Sequence, residues 1–530
     1  MPWTWGLLPL LLFSGCVVPP FAADGADTLV AAGDTVLCRW EHDLVARHGF
    51  DWPLARVKPI LDQADAALCN LECCVSRRGE PVDKGERCSF YYRARPEMLA
   101  CLTRAGIDVV CAANNHVGDY GPEGVAETCR WTREAGLVAP GCGLDPAGAE
   151  RPRLVQVGAT LVAFAAMHTS PAGFAAAPGR PGTCWVDEKE EDLAGFTARI
   201  DRLAAWARNR CHLLVLTIHW GRNWVRRTQP VHRRMARIAF ARGVDLILGH
   251  SAHRLQGIEV IGGKVVIYDM GNLFFDCKLK EEGRRSVLFR LRLSPRGVHR
   301  VEILPILALT GRALPASPAE GESILAEMEK LSRRMGTVLW RKKDEKGRPM
   351  GVVEVAAPSA TRRPGPRGEK PPLRPTAKKS IQAPRPDWFV ATAPPAAVAG
   401  GLPARALAPG IELVGKRLPP RVRAGRILPI TTWLRVTEKI DRHLLLAYRL
   451  TVGGRTARRG TSWYTRHDPA DWALPFARIR PGEVVRDTYP ARLSGLPAGT
   501  CHLFVQVIDP ALPPARRTLG ELPLGRVVLE

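Results

Sequence analysis

The sequence predicts an α/β protein, in which strands and helices alternate, followed by a smaller strand-rich region. Apolar runs typical of buried strands alternate with helical segments through about residue 275. Two of these runs, residues 213–218 and 246–248, each stop at a histidine, His219 and His250. In open α/β sheets the ligand lies beyond the carboxyl ends of the strands, so these histidines are predicted to lie at the functional site.

The elements follow in chain order from the same patterns. Apolar runs predict strands at residues 27–32, 64–71, 108–113, 161–166, 213–218, 246–248 and 265–270, and then at 286–293 and 301–309. Helices are predicted at residues 96–104, 123–135, 192–209, 230–242 and 320–334, of which 192–209 and 230–242 show an apolar face. Pro96 and Pro122 mark two helix starts, because the first helical turn does not need the hydrogen-bond donor that proline lacks.

The chain is too long for one hydrophobic core, so more than one domain is expected. Residues 26–356 are predicted to form the α/β domain. Residues 357–408, rich in proline, alanine, arginine and lysine, are predicted to be a linker. Residues 409–530 alternate apolar and polar residues between turns, which predicts a β-sandwich.

One cluster in the predicted β-sandwich has two interpretations. His467 and Asp468 lie near Trp463 and Trp472 in the sequence. These residues could form a binding face or a packed aromatic cluster, and packing is favoured because no carboxylates or further histidines gather there.

The N-terminal residues 1–25 are predicted to be a signal or lipoprotein signal. Residues 6–18 are apolar, and the sequence LFSGC ends at Cys16, where a lipid-modified cysteine would stand. Ala22 and Ala23 offer an ordinary cleavage site instead, and the usual positive n-region is missing. We expect export or anchoring at the cell envelope, with the cytoplasm as the alternative if the segment is not a signal. The fourteen cysteines show no CxxC pair, and most look like small buried hydrophobes, which argues weakly against a disulfide-built exported protein.

The formal net charge is +24, with a sequence pI of about 9.9. The chain has no RNA-binding signature and no zinc-finger spacing, so no nucleic acid is expected as a partner. A basic surface would suit an anionic polymer, a phosphate ester or an anionic membrane face. An arginine-rich composition without a specific partner is an equally good interpretation.

Polar residues follow the predicted strands of the first domain: Asp34, Asn70, Glu72, Asn115, His116, His219, His250 and His253. Oxygen and imidazole ligands in this mixture suit Mn, Fe or Zn. Two such ions can clamp both oxygens of a phosphoryl displacement, while a histidine that binds no metal acts as the general acid. Each histidine could instead merely cap a strand by hydrogen bonding, but three at strand ends favour a metal site. A covalent mechanism has no support, since no GxSxG motif occurs.

Six motifs in order make the sequence resemble a known family. They are GD at 33–34, NLE at 70–72, the segment 93–121, HWG at 219–221, GHSAHRLQGIE at 249–259 and YDMGNLFFD at 268–276. Over residues 27 to about 310 the chain resembles the CapA family of poly-γ-glutamate and capsule-synthesis proteins. The resemblance implies a calcineurin-like metallophosphoesterase fold, with a sheet core flanked by helices and a metal site at the strand ends.

The resemblance also implies roles for individual residues. One or two divalent ions (Mn, Fe or Zn) are expected on six ligands: Asp34, Glu72, Asn115, His219, His250 and His253. The expected catalytic residues are His116 and Asp119, with His116 set slightly apart from the metal so that it can donate a proton. The expected substrate-binding residues are Asn70, Asn114 and Asn272.

The chain departs from the family pattern at the site. Asn223 stands where the family usually has glutamate, and Ser251 and Ala252 replace the middle pair of GHHPH. Val36 stands where the wider phosphoesterase superfamily has histidine. Two hypotheses therefore stay open: a metal-dependent hydrolase acting on a phosphoester or an anionic envelope polymer, and a non-catalytic accessory protein that binds such a polymer. Membrane proteins of capsule synthesis are possible partners for either.

The topology predicts that the site residues converge. Right-handed crossovers bring the ends of successive parallel strands to the same edge of a sheet. Asp34, Glu72, Asn115, His219, His250 and His253 are therefore expected in one cleft, although Asp34 and His253 are far apart in the sequence.

Overall fold

The computed structural model describes residues 26–84, 90–189, 191–275, 281–356, 404–423, 427–442, 444–452, 455–456, 466–467, 479–492, 498–509, 511–512 and 516–530. The predicted signal segment, most of the predicted linker, and Asp276, Trp463, Asp468 and Trp472 lie outside these residues. No helix in the described part of the chain is long and apolar enough to cross a membrane.

The first domain carries helices α1 to α9: Trp40–His48, Lys58–Leu61, Ala100–Ala105, Gly121–Glu134, Pro146–Glu150, Ala194–Ala207, Pro230–Ala241, Glu281–Arg284 and Pro318–Arg333. Two 3₁₀ helices lie at Pro96–Leu99 and Ala172–Phe174. Helix α9 begins at a capping box, in which the Ser317 side chain accepts from the Glu320 amide and the Glu320 side chain accepts from the Ser317 amide.

The same domain carries strands β1 to β19: Asp27–Thr35, Ala66–Leu71, Cys74–Val75, Arg93–Ala94, Val109–Cys111, Cys142–Gly143, Arg153–Val157, Thr160–His168, Gly182–Thr183, Leu213–His219, Leu246–His250, Ile258–Ile261, Lys264–Ile267, Asn272–Phe274, Arg285–Ser294, Gly297–Leu309, Arg312–Pro315, Trp340–Lys343 and Pro349–Glu354. Most of them lie in two sheets. Sheet I has the order β18-β19-β16-β15-β1-β2-β5, with β14 paired to β1 and β17 to β16. Sheet II has the order β12-β13-β11-β10-β8-β7.

The two sheets pack face to face between layers of helices. One apolar cluster joins Leu29 and Leu68 of sheet I to Phe164 and Val215 of sheet II. A second cluster lies on the outer face of sheet I with residues of α1, α2 and α3. A third lies on the outer face of sheet II with residues of α6 and α7. Strands covered on both faces explain why the sequence shows continuous apolar runs instead of alternation.

The structure confirms the α/β class, but some helices and strands differ from those predicted. The predicted strand at 265–270 ends at Ile267, and after residues 268–271 the chain pairs in the other sheet as β14. The predicted helix at 96–104 is a 3₁₀ turn followed by the short helix α3. The prediction of one sheet edge is also incomplete, because the strand ends come from two sheets. An apolar run marks a strand but does not say which sheet the strand joins.

The C-terminal region consists of strands β20 to β29: Arg405–Ala408, Ile411–Arg417, Arg421–Val422, Ile427–Val436, Leu445–Val452, Arg455–Thr456, Arg466–His467, Val484–Arg492, Gly499–Ile508 and Thr518–Leu529. They form a four-stranded sheet, β20-β21-β23-β27, and a six-stranded sheet, β22-β29-β28-β24-β25 with β26 paired to β24. Residues of both sheets share one apolar cluster, which supports the predicted β-sandwich. Strand β20 occupies the last residues of the predicted linker.

Candidate metal site

The site lies where strand ends of the two sheets meet. Asp34, near the end of β1, pairs in register with Asn70 of β2 on one side and Asn272 of β14 on the other. In sheet II, His219 and His250 end the neighbouring parallel strands β10 and β11 in register. Each of these strands is buried, so its polar end residue is carried into the interior of the domain.

Three side chains form a group that can hold one metal ion. Asp34, Glu72 and His253 are buried, and one ligand atom from each lies within 4.8 Å of the other two. His253 Nδ1 is 3.2 Å from Asp34 Oδ2, and His253 Nε2 is 3.7 Å from Glu72 Oε1. Two carboxylates and an imidazole are ligands that Mn, Fe and Zn accept.

Two further histidines border this group. His219 Nε2 lies 3.8 Å from Glu72 Oε1, and His250 Nδ1 lies 3.4 Å from Asp34 Oδ1. The structure thus brings together five of the six predicted metal ligands: Asp34, Glu72, His219, His250 and His253.

Several polar atoms of this cluster lack a hydrogen-bond partner among the described residues. They are both carboxyl oxygens of Glu72 and the Nε2 atoms of His219 and His250. Buried polar groups are nearly always paired, because leaving one unpaired costs about 1–3 kcal/mol. A divalent cation bound among these atoms would satisfy them, so the residues fit a metal ion.

The pKa values at the site also suit a cation. Burial opposes ionisation of Asp34, but contacts with His250 and His253 outweigh it and hold the pKa of this carboxyl well below its usual range. Burial and the charge of Asp34 raise the pKa of Glu72 well above its usual range. Burial keeps the pKa of His219 low, so this ring is neutral, as a metal ligand must be.

His253 is a cation in the metal-free site. Burial alone would lower its pKa, but the carboxyls of Glu72 and Asp34 raise it to about 10. Because ligands must lose their protons, metal binding displaces protons here and is expected to weaken as pH falls.

Asn272 fixes the orientation of His253. Its Nδ2 donates to the carbonyl oxygens of His253 (3.2 Å) and Gly283 (2.9 Å), which leaves Oδ1 facing His253 Nδ1 at 3.0 Å. Nδ1 of His253 therefore carries a proton, and Nε2 points toward Glu72. Asn272 was predicted to bind substrate; the structure places it fully buried, with its amide engaged by the protein. Partners of this kind usually set the geometry of a metal-binding histidine.

Asn70 and Asn114, also predicted to bind substrate, form a buried hydrogen-bonded chain. Asn70 Nδ2 donates to Asp34 Oδ1 (2.9 Å), and Asn114 Nδ2 donates to Asn70 Oδ1 (3.1 Å). Asn114 Oδ1 accepts from the backbone amides of His116 and Val117 at 3.0 and 3.1 Å. The chain connects Asp34 to the turn that carries His116.

His116 lies beside Glu72 of the cluster. Its Nε2 is 4.0 Å from Glu72 Oε1, and its Nδ1 is 2.8 Å from Asp119 Oδ2. Burial and the charge of Lys84 lower the pKa of His116 to about 4. Asn115 has a buried Oδ1 without a hydrogen-bond partner among the described residues, as a ligand oxygen would, and no contact places it within the cluster.

Two charged residues of the site escaped the sequence analysis. Lys84 is buried, and its Nζ lies 2.5 Å from Asp119 Oδ1 and donates to the Asn115 carbonyl at 3.1 Å. It belongs to an irregular segment, so no periodic pattern marked it. Asp269 is buried and accepts from the amides of Ala252 (2.6 Å) and Gly271 (2.9 Å). It lies in the YDMGN motif, which was a usable signal.

The family departures lie around the cluster. Ser251 and His253 have φ angles of 104° and 53°, which are unusual for residues with side chains. The Ser251 amide donates to Asp34 Oδ2 at 3.3 Å, so this bent loop brings a backbone donor to the site. Val36 is fully buried in the apolar cluster beneath sheet I. Asn223 is exposed.

Comparison with known proteins finds a family similarity over residues 28–277. Residues 28–277 match the family described as "Bacterial capsule synthesis protein PGA_cap". The chain is 29% identical, over 54% of its length and 77% of the relative, to a probable polyglutamine synthesis accessory protein of Mycobacterium tuberculosis. It is 25% identical, over 60% of its length and 76% of the relative, to the capsule biosynthesis protein CapA of Bacillus anthracis. The corresponding values for the PGA biosynthesis protein CapA of Bacillus subtilis are 26%, 58% and 79%.

These matches confirm the family resemblance that the six motifs indicated. The family match covers all of sheet II, the strands β1, β2, β5 and β14 of sheet I, and every residue of the candidate site. Residues 28–277 are thus similar to the bacterial capsule synthesis protein family PGA_cap, and the relatives matched by the chain include CapA proteins of capsule biosynthesis.

Proposed function

We propose that this protein acts in the synthesis of a capsule or poly-γ-glutamate-type polymer as a metal-dependent hydrolase. The observation that carries the proposal is the convergence of Asp34, Glu72, His219, His250 and His253, with unsatisfied ligand atoms facing one another. Two face-to-face sheets with a metal-binding cluster at their strand ends support a calcineurin-like metallophosphoesterase arrangement. The family relationship supports the polymer class.

The five clustered side chains would hold the ion, with Asn115 as a further oxygen ligand. A divalent ion held by these residues would lower the pKa of a water molecule and polarise the oxygen of a phosphoester or acyl group. Glu72 and Asp34 supply the negative charge that retains the ion. Burial of the cluster strengthens these interactions, because charges attract more strongly at low dielectric.

His116 is the proposed proton-transfer group. Asp119 accepts the Nδ1 proton of His116, so the neutral ring presents an unprotonated Nε2 on the side of Glu72. Nε2 can take a proton from water and return it to the leaving oxygen. Lys84 holds Asp119 in place and keeps the resting imidazole neutral.

The test is turnover of a phosphodiester, bis(p-nitrophenyl) phosphate, by full-length protein loaded with Mn or Zn. His116→Ala is expected to keep the metal and lose turnover, since its side chain is not among the clustered ligands. His219→Ala and His250→Ala are expected to lose metal content and turnover together. Absence of turnover in a metal-loaded wild-type protein, with the phosphodiester and with poly-γ-glutamate as substrates, would contradict the hydrolase proposal.

The second candidate is a non-catalytic accessory protein that binds polymer in the same cleft. It is favoured by the segment 222–227, where Asn223 replaces a carboxylate and Arg222, Arg226 and Arg227 are exposed beside Trp224. The Trp224 ring is tilted against the His253 ring, with centroids 5.5 Å apart, so the segment that carries these arginines reaches the site. Binding of poly-γ-glutamate by metal-free protein, with no turnover after metal loading, would favour this candidate.

The relatives named as capsule biosynthesis proteins support a location at the cell envelope. We propose an anionic polymer or phosphoester as substrate and membrane proteins of capsule synthesis as possible partners. Mass spectrometry of the native N-terminus tests the location: a mature start at Cys16 or after Ala22-Ala23 supports export, and an intact Met1 on cytoplasmic protein contradicts it.

A further inference from the structure

Two cysteines that are not among the candidate metal ligands face each other at short range. Cys129 of helix α4 and Cys142 of strand β6 have Sγ atoms 2.9 Å apart. This distance is shorter than ordinary hydrogen bonds involving sulfur and approaches the 2.03–2.05 Å of a formed disulfide bond, so a small movement would suffice for bonding. We propose that Cys129 and Cys142 are a disulfide-forming pair that links helix α4 to strand β6.

The surroundings of the pair favour this step. Cys142 is buried in a small apolar cluster with Val117 and Val125, whereas Cys129 is partly exposed and can be reached by an oxidant. The contact with Cys142 lowers the pKa of Cys129, with help from the charge of Arg153. A thiolate is the form of cysteine that attacks a disulfide, so Cys129 is the attacking group.

The buried cysteines Cys69, Cys74 and Cys111 lack these properties. Burial raises the pKa values of Cys69 and Cys111 to about 12 and that of Cys74 to about 11. Such thiols stay protonated and unreactive. The neighbours Cys73 and Cys74 are both fully buried, which keeps oxidants away from them.

The reaction is a thiol–disulfide exchange with a small-molecule or protein disulfide. The Cys129 thiolate attacks the oxidant and forms a mixed disulfide, releasing one thiol. The Cys142 sulfur, after losing its proton, then attacks the Cys129 sulfur and releases the second thiol. One S–S bond forms and one breaks, and two electrons pass to the oxidant, which leaves as two thiols.

The link would fix part of the catalytic framework. Helix α4 begins directly after the turn that carries His116 and Asp119. Strand β6 follows Gly141, which packs against Ala113 at the end of β5, and Pro140 accepts a hydrogen bond from the Ala112 amide. A disulfide between α4 and β6 would therefore connect the helix that follows the His116 turn to the segment that packs against the end of β5.

The test uses full-length protein equilibrated with reduced and oxidised glutathione, followed by alkylation of free thiols in denaturant and peptide mapping. The expected result is two fewer alkylated thiols than after full reduction, with one peptide pair linked through Cys129 and Cys142. Dithiothreitol is expected to lower the unfolding temperature by several degrees.

Matched variants separate the pair from the other thiols. Cys129→Ser and Cys142→Ser are each expected to abolish the linked peptide and the response to dithiothreitol. Cys501→Ser removes one buried cysteine of the C-terminal region and is expected to retain both. Complete alkylation of the oxidised wild-type protein, or a disulfide that joins other cysteines, would overturn the proposal. Both outcomes are measured on the wild-type protein, so they do not depend on the folding of a variant. They also do not depend on whether the protein is a hydrolase.

Discussion

Replacement of Asn272 by alanine should weaken metal binding without touching a clustered ligand. The side chain of Asn272 makes three hydrogen bonds: two donated to the carbonyl oxygens of His253 and Gly283, and one accepted from His253 Nδ1. The backbone pairing between Asn272 and Asp34 does not depend on this side chain. Asn272→Ala therefore removes the support of His253 and leaves the strand in place.

The expected magnitude follows from those contacts. His253 Nδ1 still faces Asp34, so two carbonyl oxygens lose their donor; at about 1–3 kcal/mol each, the free energy of unfolding should fall by about 2–6 kcal/mol. Loss of a residue that orients a metal-binding histidine typically lowers metal affinity by about 10–100-fold. His253 Nδ1 also lies 3.2 Å from Asp34 Oδ2, and this contact remains in the variant. We therefore expect a partial loss of metal affinity and not a complete one.

The assay is competition for Mn or Zn between a fluorescent chelator and full-length wild-type or variant protein. Asn223→Ala is the matched control, because Asn223 is exposed in a neighbouring segment and should leave affinity unchanged. A folded Asn272→Ala variant with wild-type affinity would refute the role of Asn272. Equal losses in both variants would show that the measured effect is not specific to His253.

Three further predictions concern other parts of the chain. Lys84→Met should raise the pKa of His116 by removing a neighbouring cation, which NMR titration of the metal-free protein would detect; an unchanged pKa would refute this reading of Lys84. His168 is buried, and burial lowers its pKa to about 4 in the folded protein. Between pH 6.5 and 4, His168 is therefore protonated in the unfolded state but neutral in the folded state. The free energy of unfolding should consequently fall by about 3 kcal/mol as pH drops through this range. When it is measured by urea unfolding at several pH values, the free energy of unfolding of His168→Asn should depend less steeply on pH than that of the wild type. An equal dependence on pH would contradict the prediction. Limited proteolysis should cut within residues 357–408 and leave two folded fragments, whereas a resistant fragment spanning that region would argue against the predicted linker.

The sequence indicated much of the fold because its strands are buried on both faces. Runs such as 213–218 and 246–248 are almost entirely apolar for this reason, and the histidines that follow them mark the point where each strand reaches the site. The pattern could not show that β1 and β10 belong to different sheets, since pairing depends on contacts between distant segments. The site consequently lies between two sheets and not along one edge.

Residue roles were harder to predict than positions. Asn272 follows a strand-like run in the sequence, and its hydrogen bonds to the loop carrying His253 exist only in the folded chain. Lys84 lies outside every periodic segment, and only the structure brings its ammonium group to Asp119. Residue type and spacing identify ligands, whereas the residues that support them depend on tertiary contacts.

The central claim, a metal site built by Asp34, Glu72, His219, His250 and His253, is tested most directly by metal content. Full-length protein loaded with Mn or Zn, desalted and analysed by mass spectrometry of its elements, should retain at least one ion per chain. Glu72→Gln and His253→Ala should retain much less, because ligand number and charge set affinity. A wild-type protein that retains no ion under these conditions would contradict the account.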